Sequence, residues 1–284
     1  MKTSLCLIIF LLVAGLLFAQ TQEAFDPGKP LPADTSRLWV ADGNPQSDTV
    51  LLICQGGPSD RLTIEESGRT SYRYIPKYAQ YTIAYVHQAQ TWDPDLMYRD
   101  LPSPNRAKAA VEQTTEILVR SIRYFKERGK TVMVIGTSYG AYIGMHALAT
   151  HDNLADRYVL IAGRVDDPAD AVDHHLQGYN GAYSVNGRTF IPQPADTKTT
   201  SAYQFRQMLK GAIGQPRYSR LLAGADLSNL WFFYATNDER VGRLTEEEAN
   251  FLENRGAQVF ATSDGHTETL YRFIDRLMAK ELYW

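Results

Sequence analysis

The segment TVMVIG at 131–136 has no polar position after its Thr, and it runs without a break through GTSYG (136–140) into the helical pattern AYIGMHALAT at 141–150. A strand with no polar face has no side to give to water. Such strands sit inside parallel sheets that are covered by helices on both faces. The feature therefore commits the chain to a layered α/β arrangement. It also places Ser138, flanked by Gly136 and Gly140, at the corner where strand becomes helix. A serine there is either a nucleophile raised on a sharp turn or an ordinary polar residue in a glycine-bearing turn, and five residues alone do not separate the two.

The rest of the chain repeats the alternation. Strand patterns occur at RLWVA (37–41), TVLLICQ (49–55), YTIAYVH (81–87), RYVLIAG (157–163), LWFFYATN (230–237) and AQVFATS (257–263). Between them, 104–130 places Ala110, Val111, Ile117, Leu118, Ile122 and Phe125 at helical spacing before a stop at Gly129. LTEEEANFLENRG reads as a helix with an acidic first turn, and the C-terminal TETLYRFIDRLMAKELYW as another. Strands and helices in this order predict a doubly wound, mostly parallel α/β sheet whose ligands bind at the carboxyl ends of the strands. One interval breaks the rhythm. Residues 164–229 separate two strands that a single helix would normally join, and they hold the helix-like DPADAVDHHLQGYN and TSAYQFRQMLKGAIG around a turn-rich centre. We read 164–229 as an inserted, partly helical lid and 20–163 with 230–284 as the core, the alternative being an edge decoration away from the site.

With 284 residues, 44% hydrophobic and 21% charged, the chain is long enough for one large domain and too apolar to be disordered. A formal charge of -3 lacks the positive excess of a nucleic-acid binder. Residues 1–19 open with Lys2 and continue as an apolar run to Ala19, the pattern of a signal peptide for export to the periplasm or outside the cell. That run of about 15 residues is shorter than the roughly 20 of a spanning helix, so no stable membrane span is expected once the signal is removed. Cys54 is then the only cysteine, and in VLLIC it reads as a buried hydrophobe rather than a catalytic thiol. No Cys or His spacing suits a metal, since the adjacent His174 and His175 diverge on a helix or strand. Neither a metal nor a cofactor is expected.

The chemistry gathers around Ser138. Its hydroxyl needs a base, usually a histidine oriented by a carboxylate. Of the six histidines, His266 in ATSDGHTET follows a strand end late in the chain, while His87, at the end of an earlier strand, is the rival. Asp238 stands just after LWFFYATN and is the expected carboxylate, with Glu239 as the fallback and Asp264 disfavoured by its closeness to His266. An oxyanion needs amide donors: the helix after Ser138 offers that of Tyr139, and the loop Gln55-Gly-Gly-Pro-Ser59 offers that of Gly57, since Pro58 has none.

With GTSYG, NDERVG, DGHTE and QGGP in that arrangement, the sequence resembles the α/β-hydrolase superfamily from about Arg37 to the end. The order Ser138, Asp238, His266 is the order that fold uses. The loop is similar to the HGGP of proline-iminopeptidase-like members and related esterases, with Gln55 in place of the usual His and Ser59 in place of a frequent Gly. The resemblance implies a serine hydrolase acting on a small-molecule ester or short peptide. A carboxylic-ester hydrolase leads, an aminopeptidase is the alternative, and a noncatalytic binding protein on the same fold is a third reading. Asp166, Asp167, Asp170 and Asp173 in the inserted segment either bind a free amino terminus or form a solvated helix face. Tyr139, Tyr142, Trp92 and Tyr179 either line an apolar pocket or belong to the core.

Overall fold

The computed structural model describes residues 28–280 apart from 63, 65–71, 73, 76, 100 and 195–199, so the expected signal peptide at 1–19 lies outside the described residues. The strands are β1 (Trp39–Gly43), β2 (Thr49–Cys54), β3 (Thr82–Val86), β4 (Thr131–Thr137), β5 (Arg157–Ile161), β6 (Gly181–Tyr183), β7 (Phe190–Pro192), β8 (Leu230–Ala235) and β9 (Gln258–Thr262). The helices are α1 (Ala89–Trp92), α2 (Pro104–Lys126), α3 (Tyr139–Thr150), α4 (Ala169–Leu176), α5 (Ser201–Gly214), α6 (Tyr218–Leu221), α7 (Glu246–Glu253) and α8 (Glu268–Met278). Among the described residues, no helix is long and apolar enough to cross a membrane.

Seven strands form one sheet in the order β1-β3-β2-β4-β5-β8-β9. Only β1 runs antiparallel to its neighbour. The expected doubly wound sheet is thus present. The alternation of side chains explains why the central strands lack polar positions. Val50, Leu52, Val132, Val134 and Leu160 face the helical layer of α2 and α3, whereas Leu51, Ile53, Met133, Ile135 and Val159 face the layer that holds Phe273 and Ile274 of α8. Both faces are covered. The chain leaves β2 toward β3 on one side and leaves β4 toward β5 on the other, so the order reverses between β2 and β4. The ends of those two strands carry the QGGP loop and Ser138, at the crevice where doubly wound sheets bind ligands.

Element boundaries differ from the sequence expectation in ways that have local causes. β1 begins at Trp39 instead of Arg37 because 35–38 form a 3-10 turn whose start is capped by Asp34, its side chain accepting from the Ser36 N–H. α2 stops at Lys126, ahead of Gly129, which takes a φ of +71° that L residues rarely adopt. α7 starts on a reciprocal cap between Thr245 and Glu248.

Residues 164–229 hold α4, the short β6–β7 hairpin, α5 and α6. Phe205, Leu209 and Ile213 of α5 are buried in the same cluster as α2 and the central strands. The Arg106 guanidinium of α2 lies 4.9 Å from the centre of the Phe205 ring. The segment is packed into the core as well as tied to it at both ends.

Candidate active site

Ser138 occupies the corner between β4 and α3 with φ 54° and ψ -120°. For a residue with a Cβ this is costly, of order 1–3 kcal/mol, and it lasts only where the surroundings over-determine it. They do so here. The Ser138 N–H donates to the Ile161 carbonyl at 2.8 Å, and the Ser138 carbonyl accepts from the Ala141 N–H at 2.8 Å. A Cβ on Gly140 would collide with the Cys54 carbonyl, and one on Gly136 would collide with the Gly140 carbonyl. Both glycines are needed for the backbone to turn at this place.

The two other residues of the expected triad meet Ser138. His266 Nε2 lies 3.0 Å from Ser138 Oγ, and His266 Nδ1 lies 2.6 Å from Asp238 Oδ2. A carboxylate only accepts, so Nδ1 carries the proton and Nε2 is left to accept from the serine hydroxyl. Asp238 is 1% exposed. Its second oxygen accepts the N–H groups of Arg240 at 2.8 Å and Val241 at 3.0 Å, which hold the carboxylate against the ring.

The rivals are engaged elsewhere. Asp264 pairs with Arg272, whose hydrogen bond, aided by that of Thr262, holds the carboxyl down at about 2. Glu239 is exposed, and its carbonyl accepts from Tyr183. His87 is 3.0 Å from Thr91 Oγ1, and burial pushes its pKa below the usual value. His146 is buried on α3 beside the Tyr218 hydroxyl. His174 and His175 each bond to backbone carbonyls of their own segment. Cys54 is buried in β2, and desolvation pushes its thiol up to about 12, well away from a reactive thiolate.

A cavity of about 700 Å³ opens over Ser138 and His266, with Gly56, Gly57 and Tyr139 in its wall. Gly56 passes close to the serine, since a Cβ on it would stand 3.5 Å from Ser138 Cβ. The loop that bears the two glycines is pinned from both sides: Gln55 Nε2 donates to the Arg61 carbonyl at 2.9 Å, and Gln88 Nε2 donates to the Gln55 carbonyl at 2.9 Å. Gln55 therefore braces the loop in the position that His takes in HGGP. The rest of the lining comes largely from α4, β6, α5 and the stretch after β8. Tyr139 and Tyr142 line the cavity. Trp92 and Tyr179 do not: the Trp92 ring lies 4.6 Å under the Lys29 ammonium near the start of the described chain, and the Tyr179 ring packs on His174.

Of the four acids in 166–173, only Asp167 reaches the cavity. It accepts from the Tyr142 hydroxyl at 2.9 Å, and burial raises its pKa to about 6. Asp166 is taken by Ser219 and Arg217, while Asp170 and Asp173 are exposed. The sequence did not single out Lys210 of α5 or Arg240, both of which line the cavity. Helical periodicity assigns a buried face to α5, but not the strand ends that the face covers. Among the described residues, no group of three or more His, Cys, Asp or Glu side chains is placed to hold a metal ion.

No family model matches the sequence, and no curated protein does either. The fold, in contrast, is shared with many solved structures. MenH from S. aureus aligns with a TM-score of 0.52 at 13% identity, covering 86% of this chain and 98% of that one. Rv0554 from Mycobacterium tuberculosis aligns at 0.53 with 10% identity, covering 86% and 92%. Est1E from Butyrivibrio proteoclasticus, solved with ferulic acid bound, aligns at 0.52 with 11% identity, covering 86% and 93%. At these identities the similarity is one of fold, and that fold is the α/β-hydrolase fold.

Proposed function

We propose that the chain is an exported serine hydrolase that cleaves a carboxylic ester through an acyl-enzyme. The observation that carries this reading is His266 bridging Ser138 at 3.0 Å and Asp238 at 2.6 Å on the floor of the cavity. In the first step Ser138 Oγ attacks the ester carbonyl carbon while His266 Nε2 takes the hydroxyl proton, and Asp238 stabilises the imidazolium. The carbonyl electrons move onto oxygen. There the amides of Tyr139 and Gly57 are proposed to stabilise the oxyanion, helped by the positive N-terminal end of the α3 dipole. His266 returns its proton to the departing alcohol. Water, deprotonated by the same imidazole, then releases the acid and restores Ser138.

Residues 164–229 act in this reading as a lid that supplies part of the cavity lining, and residues 1–19 as the signal that directs the chain to the periplasm or beyond. An ester is favoured over an aminopeptidase substrate because Asp167, the one acid of 164–229 at the cavity among the described residues, is already engaged by Tyr142 and has its charged form disfavoured by burial. A fluorophosphonate probe tests the chemistry. The native chain is expected to be labelled and Ser138→Ala to be unlabelled, and a folded native chain that resists the probe would sink the proposal. A panel of 4-nitrophenyl esters and aminoacyl anilides then decides the bond, with esters expected to be cleaved faster.

A further inference from the structure

The part of the cavity lining that comes from α5 and the stretch after β8 carries two cations, Lys210 and Arg240, against one carboxylate, Glu239. Lys210, on α5, and Arg240, two residues after Asp238, line the cavity together, and among the described residues neither side chain has a hydrogen bond or ion pair. Arg206 stands one helical turn before Lys210, and its buried Nε has no partner. Arg240 is exposed, but Lys210 is half-buried, so its ammonium loses hydration while like charges stand near it. Burial, with Arg206 and Arg240 adding to it, accordingly lowers the Lys210 pKa to about 8. His175, on the adjacent face of α4, does not relieve this. It is held neutral by burial, with its pKa at about 4.

A fold tolerates such a cluster when something outside the chain completes it. We propose that Lys210 and Arg240 form a seat for a carboxylate, so that the ester cleaved at Ser138 carries a free carboxylate group, a half-ester of a dicarboxylic acid being the simplest case. This rests on the hydrolase reading for the word ester, but the seat itself does not. A singly charged group fits better than a doubly charged one because Glu239, beside Arg240, lines the same cavity and repels added negative charge. The seat also works against an aminopeptidase role, since two cations repel a substrate's protonated amine.

The test separates binding from turnover. Monomethyl glutarate, titrated calorimetrically into Ser138→Ala protein, is expected to bind about tenfold more weakly once Lys210→Met is added, the scale of losing one hydrogen bond to a charged group. Lys210→Arg is expected to restore most of the affinity, which excludes a general packing defect. For turnover, the ratio of kcat/KM for 4-nitrophenyl hydrogen glutarate to that for 4-nitrophenyl valerate should fall about tenfold in Lys210→Met, chiefly through KM. Glutarate binding that ignores Lys210, or an unchanged ratio, overturns the seat while leaving the hydrolase intact. Binding that depends on Lys210 in a protein that cleaves no ester leaves the seat standing and overturns the hydrolase.

Discussion

At the scale of single residues, two side chains hold positions that cost the fold something. Ser138 sits at φ 54° and ψ -120°, where a Cβ is crowded by its own backbone. Replacing it by glycine removes the crowding, so Ser138→Gly is expected to be more stable than the native chain by about 1 kcal/mol in urea unfolding. Reduced stability would mean that the hydroxyl contributes more than the strained backbone costs. Lys210 leads to a prediction in pH. Its pKa of about 8 lies below that of a free lysine, so the ammonium is present below that value and is lost above it. Arg206, Arg240 and Glu239 are the charged neighbours of the site, burial holds His175 neutral with its pKa at about 4, and burial raises Asp167 only to about 6, below this range. His266 serves every ester alike and cancels in a ratio. The preference for the glutarate half-ester over the valerate ester, taken as a ratio of kcat/KM, should therefore decline as pH rises through about 8. A ratio that is flat from pH 6.5 to 9.5 would count against the seat.

At the scale of elements, the elbow depends on how closely β2, β4 and α3 approach each other. A methyl group on Gly140 has the Cys54 carbonyl in its way, and neither backbone can yield without moving a central strand. Gly140→Ala is expected to cost about 1–3 kcal/mol and to displace Ser138 from His266, seen as lost fluorophosphonate labelling. Gly129→Ala is the control. It meets open space and loses only the freedom to take φ +71°, at a cost of about 1 kcal/mol with labelling retained. The same elements explain what the sequence made legible. β2, β4, β5 and β8 were readable because burial on both faces leaves an apolar run that few other structures produce. The hairpin of β6 and β7 was not, because strands of three residues carry no period to detect. The start of α3 at Tyr139, two residues earlier than the periodicity suggested, follows from Ser138 being the cap, which is a property of its backbone angles and not of its neighbours' hydropathy.

At the scale of the whole molecule, the triad and the cavity wall were legible to different degrees for one reason. Ser138, Asp238 and His266 follow strand ends, and a parallel sheet brings its strand ends to one edge, so chain position alone brought them together. Lys210 and Arg240 share the cavity only because the segment 164–229 folds back over that edge, and no local pattern encodes the direction of the return. How firmly it returns is a matter of packing. Phe205 is 1% exposed, lies beneath Arg106 and shares its cluster with α2 and the central strands. If α5 were a loosely hinged flap, truncating Phe205 would free the flap and leave the core's stability unchanged. If it is part of one cooperative unit, Phe205→Ala should lower global stability by about 3–5 kcal/mol, with a single unfolding transition. We expect the second outcome, and native-state hydrogen exchange checks it independently: the amides of 205–213 should exchange only through global unfolding, alongside those of β4. Exchange in α5 at a much lower free energy than in β4 would instead mark the segment as a separately opening lid, and the seat at Lys210 would then form only when it closes.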